Sequence, residues 1–360
     1  MKERDIQLDC YRALIMMYII CVVHMVHWLG VGKEPVKSIV YFSMPIMFFI
    51  SGAAISVSKS KKTILATVVN RAKRALVPFY VYALFSLIVL TYLTLVAVND
   101  CNIFSYNLND VIRVLVAHDI PQMTNNMPQG NPIYGKTLPH LWFIIVFLIL
   151  SVTVPIQQKI IEKFHLSDHW YFALCILAFA IVQFLPRIFS LQEVFGYNLF
   201  LVAGMLYYKK LSKGKIALCG GVSLVVLVLC MVVGGMNFFP MVKNHYPPNT
   251  LYVAYTMFIL SLLALFFSVV KVKNTWLVDF WNKKGYSLYL YQNFAFFIVA
   301  PLKTYIAAHC QSAIITGILC FLLLLAVSTI LVMMITPLEE PLTNMIYKIP
   351  FLNIDKRSKN

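Results

Sequence analysis

Apolar stretches recur along the chain, most of them of the roughly 17 to 25 residues that cross a bilayer as a helix. They fall at 10–31, 37–57, 75–97, 140–157, 168–186, 195–209, 216–235, 250–270, 286–305 and 312–336, the sixth being the shortest. Lipid offers no partner to an unpaired backbone N–H or C=O, so each stretch is expected to satisfy its own as a helix. The pattern predicts an all-α, polytopic membrane helix bundle of about ten transmembrane helices. One domain is expected over 1–345, with a basic tail at 346–360. The first stretch has no small-residue cleavage site, so no removable signal peptide is expected.

Composition supports this reading. The chain is 60% hydrophobic with mean hydropathy +0.78, outside the range of a soluble domain. Its net charge of +16 raises the question of nucleic acid, but the placement of the charge answers it. With ten spans and an inward N-terminus, only Lys33, Lys37, Arg113, Lys136, Arg187, Lys243 and Lys303 fall in outward loops. Apart from Arg12, which is within a span, the rest of the 30 Lys and Arg lie inward. That is the positive-inside bias. It predicts both termini in the cytoplasm, a multi-pass protein of the inner (plasma) membrane, lipids as partners and no nucleic acid.

Loops and cysteines add less. The long outward loop 98–139 contains NDVIRVLVAHD, whose Asn/Asp start and apolar face predict a short amphipathic surface helix. A second outward loop, 234–249, carries aromatic, amide and histidine groups of the kind that stack on and hydrogen-bond sugars. Solvation and interfacial anchoring explain either loop equally well. The eight cysteines show no metal-binding spacing; Cys101 and Cys310 both map to outward loops, where their pairing is open.

The first stretch, LDCYRALIMMYIICVVHMVHWLG, carries four polar residues where a span should carry none: Asp9, Arg12, His24 and His27. Ionisable groups at such depth are costly and mark protected sites with a task. On an ideal helix Asp9 and His27 point the same way, with Arg12 about 60° to one side and His24 about 60° to the other. The quartet shares one broad face, with the acid and arginine at one end and the histidines at the other.

Several phrases, taken in order, resemble the acyltransferase-3 family of integral membrane O-acyltransferases. They are LDCYRALIMMYIICVVH, YFSMPIMFFISGAAIS (41–56), NRAKRALVPFYVYAL (70–84), HLWFIIVFLI (140–149), GYSLYLYQNF (285–294) and TPLEEPL (336–342). The resemblance implies transfer of an acetyl or other short acyl group from acyl-CoA to a hydroxyl. The acceptor it implies is a surface or exported glycan or its lipid-linked precursor, and no metal is needed. Taken together with helix geometry and residue chemistry, it makes His24, His27 and Asp9 the candidate catalytic residues, Arg12, Arg71 and Arg74 the donor-binding ones, and Trp142, Ser51 and Gln292 the substrate-binding ones.

Residue chemistry agrees with that assignment. A hydroxyl acceptor needs a base, and histidine titrates near working pH. Guanidinium groups bind phosphates in a forked geometry. Arg12 and His24 are separated by about 18 Å of helix rise, a span that a long donor with an anionic end and a thin thioester arm can bridge.

Two departures stand out. The family usually has ten residues between arginine and histidine, whereas Arg12 and His24 have eleven, which turns His24 about 120° from Arg12. A local bulge, of π or 3₁₀ type, would restore the alignment. His27 lies about 60° from Arg12, so which histidine is the base is open. Gln292 stands where family members often carry histidine, so that position lacks proton transfer here. Two other classes remain: a polysaccharide or acyl-intermediate transporter or flippase using the quartet as a proton relay, and an inactive partner in a glycan-synthesis complex. Plain readings also exist for single residues, with Arg12 snorkelling to headgroups and Trp142 in an interfacial belt.

Overall fold

A computed structural model describes residues 5–57, 64–97, 139–186, 190–310 and 312–348. The surface helix expected in the long outward loop, Cys101 with any pairing to Cys310, and the tail beyond 348 lie outside the described residues. Among the described residues regular structure is helical, with one isolated bridge between His245 and Pro248. The helices are α1 (Ile6–Trp28), α2 (Val36–Ile39), α3 (Ser43–Val57), α4 (Ile64–Ala97), α5 (Phe143–Lys163) and α6 (Asp168–Val182). After these come α7 (Leu191–Tyr207), α8 (Lys213–Val232), α9 (Val242–His245), α10 (Thr250–Phe267), α11 (Trp276–His309) and α12 (Ala313–Tyr347).

Each predicted apolar stretch falls largely within helix. Six segments are long and apolar enough to cross a membrane: Ile6–Trp28, Val36–Val57, Phe143–Lys163, Lys213–Val232, Thr250–Phe267 and Ala313–Tyr347. Helix α8 leaves Leu218, Val222, Val225, Val228, Leu229 and Val232 exposed, as a helix facing lipid does. Helix α7 differs: most of its seventeen residues are buried, the signature of an interior helix.

The chain divides into two units, one of residues 1–60 and 161–329, the other of 61–160 and 330–360. In the first, α3 packs on α7, α8 on α10, and α1 on both α11 and α3. Glycine sets the closest of these approaches. A Cβ on Gly52 would lie 1.9 Å from the Leu201 carbonyl oxygen, and one on Gly204 would lie 1.9 Å from that of Phe49. The α3 and α7 backbones therefore touch, the close crossing that small residues permit in membranes.

Helices α1 and α11 run side by side in the same direction. Met16 meets Gly285, His24 meets Tyr289 and Gln292, and Trp28 meets Phe296. The start of α1 is tied down by Asp5, which caps it through the Leu8 amide and takes Lys209 Nζ at 2.7 Å and the Tyr208 hydroxyl at 3.2 Å. Burial pushes the Asp5 carboxyl up, but the Lys209 and Leu8 hydrogen bonds outweigh it and leave it below the ordinary value.

In the second unit α4 is a single helix through Pro78, with Phe79 and Tyr82 buried. The last turn of α12 meets it where the Tyr347 hydroxyl donates to the Lys73 carbonyl oxygen at 3.4 Å.

Candidate active site

Helix α1 is not α-helical throughout. Residues Ile19–His24 form a π-helical segment, with Ile19, Ile20, Cys21 and Val23 packed into the core. A π turn of this kind takes up one extra residue, so the twelve steps from Arg12 to His24 count as about eleven. The angular offset between them falls from about 120° to about 20°. His27 then lies about 40° to one side of Arg12, and Asp9 about 60° to the other. The widened turn sits within the interval that holds the extra residue.

At the inward-read end, Arg12 Nη1 lies 3.4 Å from Asp9 Oδ1, one turn apart on α1, with the arginine 39% exposed. The contact is long and engages a single guanidinium nitrogen, so it steadies the side chain while leaving it partly open to solvent.

His24 is held on three sides. Gln292 Nε2 donates to the Tyr289 carbonyl oxygen at 2.8 Å, which turns its Oε1 toward His24 Nδ1 at 2.5 Å. An amide oxygen only accepts, so Nδ1 carries the proton and Nε2 keeps the lone pair. Trp28 lies flat on the imidazole, with centroids 4.0 Å apart and planes 5° from parallel, and is itself braced edge-on by Phe296. Tyr289 closes the third side, tilted at 6.0 Å. Gln292 and Tyr289 are buried, whereas Trp28 is 42% exposed.

His27 is placed differently. Its Nε2 donates to the Lys37 carbonyl oxygen at 3.1 Å, and its ring meets Tyr41 edge-on at 4.7 Å. The Tyr41 hydroxyl donates to His245 Nε2 at 3.0 Å, because His245 Nδ1 already donates to the Val242 carbonyl at 2.6 Å. The Tyr197 hydroxyl donates to the His245 carbonyl oxygen. Burial pulls His245 down to about 4, so it is neutral at ordinary pH. His27 is thus one end of a chain that pins α2 and the 234–249 loop to the bundle.

That loop spends part of its polar groups internally. Asn244 donates to the Asn237 carbonyl, Asn249 donates to Asn244 Oδ1 and caps α10, and Phe238 stands edge-on to Tyr255. Asn244, His245 and Asn249 are thus committed to the protein, whereas Asn237 and Phe239 are exposed.

Of the other expected site residues, Ser51 Oγ donates to the Met47 carbonyl of its own helix at 2.9 Å. Arg71, Arg74 and Trp142 belong to the second unit. Arg71 and Arg74 are one turn apart near the start of α4, before its apolar run; burial and the neighbouring Arg74 hold the Arg71 guanidinium below its ordinary value. Two like charges held close favour an anion between them. Trp142 ends a 3₁₀ turn, Pro139–Trp142, that leads into α5.

Sequence reading passed over Trp28, Tyr289, Tyr41 and His245 as site residues. The spacing of Trp28, four after His24, places the two rings on neighbouring turns and was the available signal. The same holds for Tyr289 and Gln292, three apart on α11. Nothing local marks Tyr41 and His245 as partners.

A family model described as an acyltransferase domain, of the acyltransferase-3 type, matches residues 5–336. No curated protein and no solved structure matches the chain.

Proposed function

The chain belongs to the acyltransferase-3 family, a membrane acyltransferase by its domain and its helices, and from that premise we propose that His24 is the base of an O-acyl transfer. The donor in this reading is acyl-CoA, with acetyl as the simplest acyl group, and the acceptor is a hydroxyl of a surface or exported glycan or its lipid-linked precursor. His24 Nε2 takes the hydroxyl proton as the acceptor oxygen attacks the thioester carbonyl. The tetrahedral intermediate then expels the thiolate, which recovers that proton from the imidazolium. Products are the O-acyl ester and free CoA.

One observation carries the reading: Gln292 fixes the His24 tautomer with the proton on Nδ1 and the lone pair on Nε2. A base held by an orienting partner is the usual arrangement for activating a hydroxyl. The flat Trp28 ring supports it further, since an aromatic face stabilises the cation that His24 becomes. Gln292 acts here as a positioning residue rather than as a substrate contact, because both ends of its amide are engaged. Arg12, oriented by Asp9, lies on the His24 stripe about 16 to 18 Å away along the helix and takes a donor phosphate. Arg71 and Arg74 as donor-binding residues, and Ser51 and Trp142 as substrate-binding ones, rest on the resemblance. Ten crossings, cytoplasmic termini and residence in the inner membrane complete the proposal, resting on the charge bias of the loops.

The test is direct. Inverted membrane vesicles containing the protein, given radiolabelled acetyl-CoA, should move label into a glycan fraction, and His24→Ala should abolish that transfer. Equal labelling by wild type and variant, or no labelling by either, defeats the proposal.

A further inference from the structure

Beyond the end of α1 that carries His24, a cavity of about 230 Å³ opens among three segments of the first unit. Gly30 and Val31 line it from the stretch after α1, Lys303 from late α11, and Ala313 and Thr316 from the start of α12. Gly30 takes a positive φ of 63°, and a Cβ there would meet nothing within 4 Å. The cavity wall is therefore open at that point rather than packed.

Two side chains give the cavity its chemistry. Lys303 is half-buried, and among the described residues it has no ion pair or hydrogen bond. Thr316 is 5% exposed, and only its backbone amide is engaged, donating to the Ser312 carbonyl oxygen. Its hydroxyl has no protein hydrogen-bond partner among the described residues, and Thr316 lines the cavity. A cation without an ion pair and a hydroxyl without a protein partner line the same small space. The first turn of α12 begins at its rim, where backbone N–H groups also favour negative charge.

We propose that this cavity binds a phosphate group, with the Lys303 ammonium as counter-charge and the Thr316 hydroxyl as hydrogen-bond partner. Lysine is a compact point charge suited to phosphate. Gly30 lies two residues past the end of α1 and His24 does not line the cavity, so the site lies beyond the proposed base without overlapping it. Two carriers present this chemistry: an anionic lipid headgroup and a free or acceptor-borne phosphate.

Native mass spectrometry of the purified full chain in non-ionic detergent separates the carriers and needs no turnover, so its outcome is independent of the acyl-transfer proposal. The probes are dioctanoyl phosphatidylglycerol, dioctanoylglycerol and inorganic phosphate. The phosphatidylglycerol adduct should form and the dioctanoylglycerol adduct should not. Lys303→Gln and the isosteric Thr316→Val should each weaken phosphatidylglycerol binding, the former by about tenfold or more. Displacement by inorganic phosphate identifies the phosphate group alone as sufficient; resistance to it identifies the lipid headgroup as the carrier. Lys243→Gln, in the exposed part of the 234–249 loop, should leave binding unchanged. Equal binding of dioctanoylglycerol, undiminished binding by Lys303→Gln, or an equal loss in Lys243→Gln overturns the proposal.

Discussion

Gln292 and His24 are 268 residues apart in sequence, yet the amide oxygen of one meets the imidazole Nδ1 of the other. Residue type alone marked His24 and His27 as candidate bases and Gln292 as unable to transfer a proton. That the amide orients the imidazole was not legible, because no local pattern records which face of α11 meets α1. Gln292→Leu should therefore lower kcat by about ten- to a hundredfold while leaving the donor KM near its wild-type value, since the base stays but loses its fixed tautomer. Steady-state kinetics with varied acyl-CoA would check this; an unchanged kcat would remove the orienting role. His245 presents a separate test. An ordinary histidine titrates near 6.5 and this one is held at about 4, so between those values the unfolded chain binds a proton that the native state refuses. Stability is full above about 6.5 and is lost as pH falls toward 4, by on the order of 3 kcal/mol at most. Thermal unfolding in detergent should show that slope, and His245→Phe should flatten it.

Elements were more legible than their irregularities. Helix positions followed from runs of apolar residues, and the extra residue between Arg12 and His24 left two ways to align a histidine with Arg12: a bulge in α1, or His27 in place of His24. The structure places a π segment at Ile19–His24, in the second half of that interval. Its location could not be read beforehand, since Ile, Cys and Val there suit an ordinary α-helix nearly as well. Deleting Val22 should convert the widened turn to regular α-helix and keep His24 on the Arg12 stripe. Activity of that variant is expected within about tenfold of wild type, whereas inserting an alanine after Val22 swings His24 by a further ~100° and should abolish it. Loss of activity in the deletion equal to that in the insertion would show that the π turn does something other than restore register. The α3–α7 crossing was also beyond sequence reading: Gly52 and Gly204 are ordinary glycines until the fold sets each against the other helix's backbone.

For the whole molecule, the periodicity of apolar stretches and the loop-by-loop charge bias pointed to a membrane bundle, and the family match over 5–336 agrees with the motifs that carried the resemblance. What remained open at this scale was which histidine of α1 serves the reaction, because a single helix cannot say which neighbours enclose it. The assembled bundle gives the two different surroundings. His24 has an oriented lone pair beside an exposed, stacked tryptophan, while His27 is tied to the Lys37 carbonyl and to the Tyr41–His245 chain. The most direct measurement is acyl transfer by the intact protein in proteoliposomes, comparing His24→Ala with His27→Ala at equal folded amounts. The account predicts a loss of about a hundredfold or more for His24→Ala and a reduction of less than about tenfold for His27→Ala. A large loss confined to His27→Ala would contradict it.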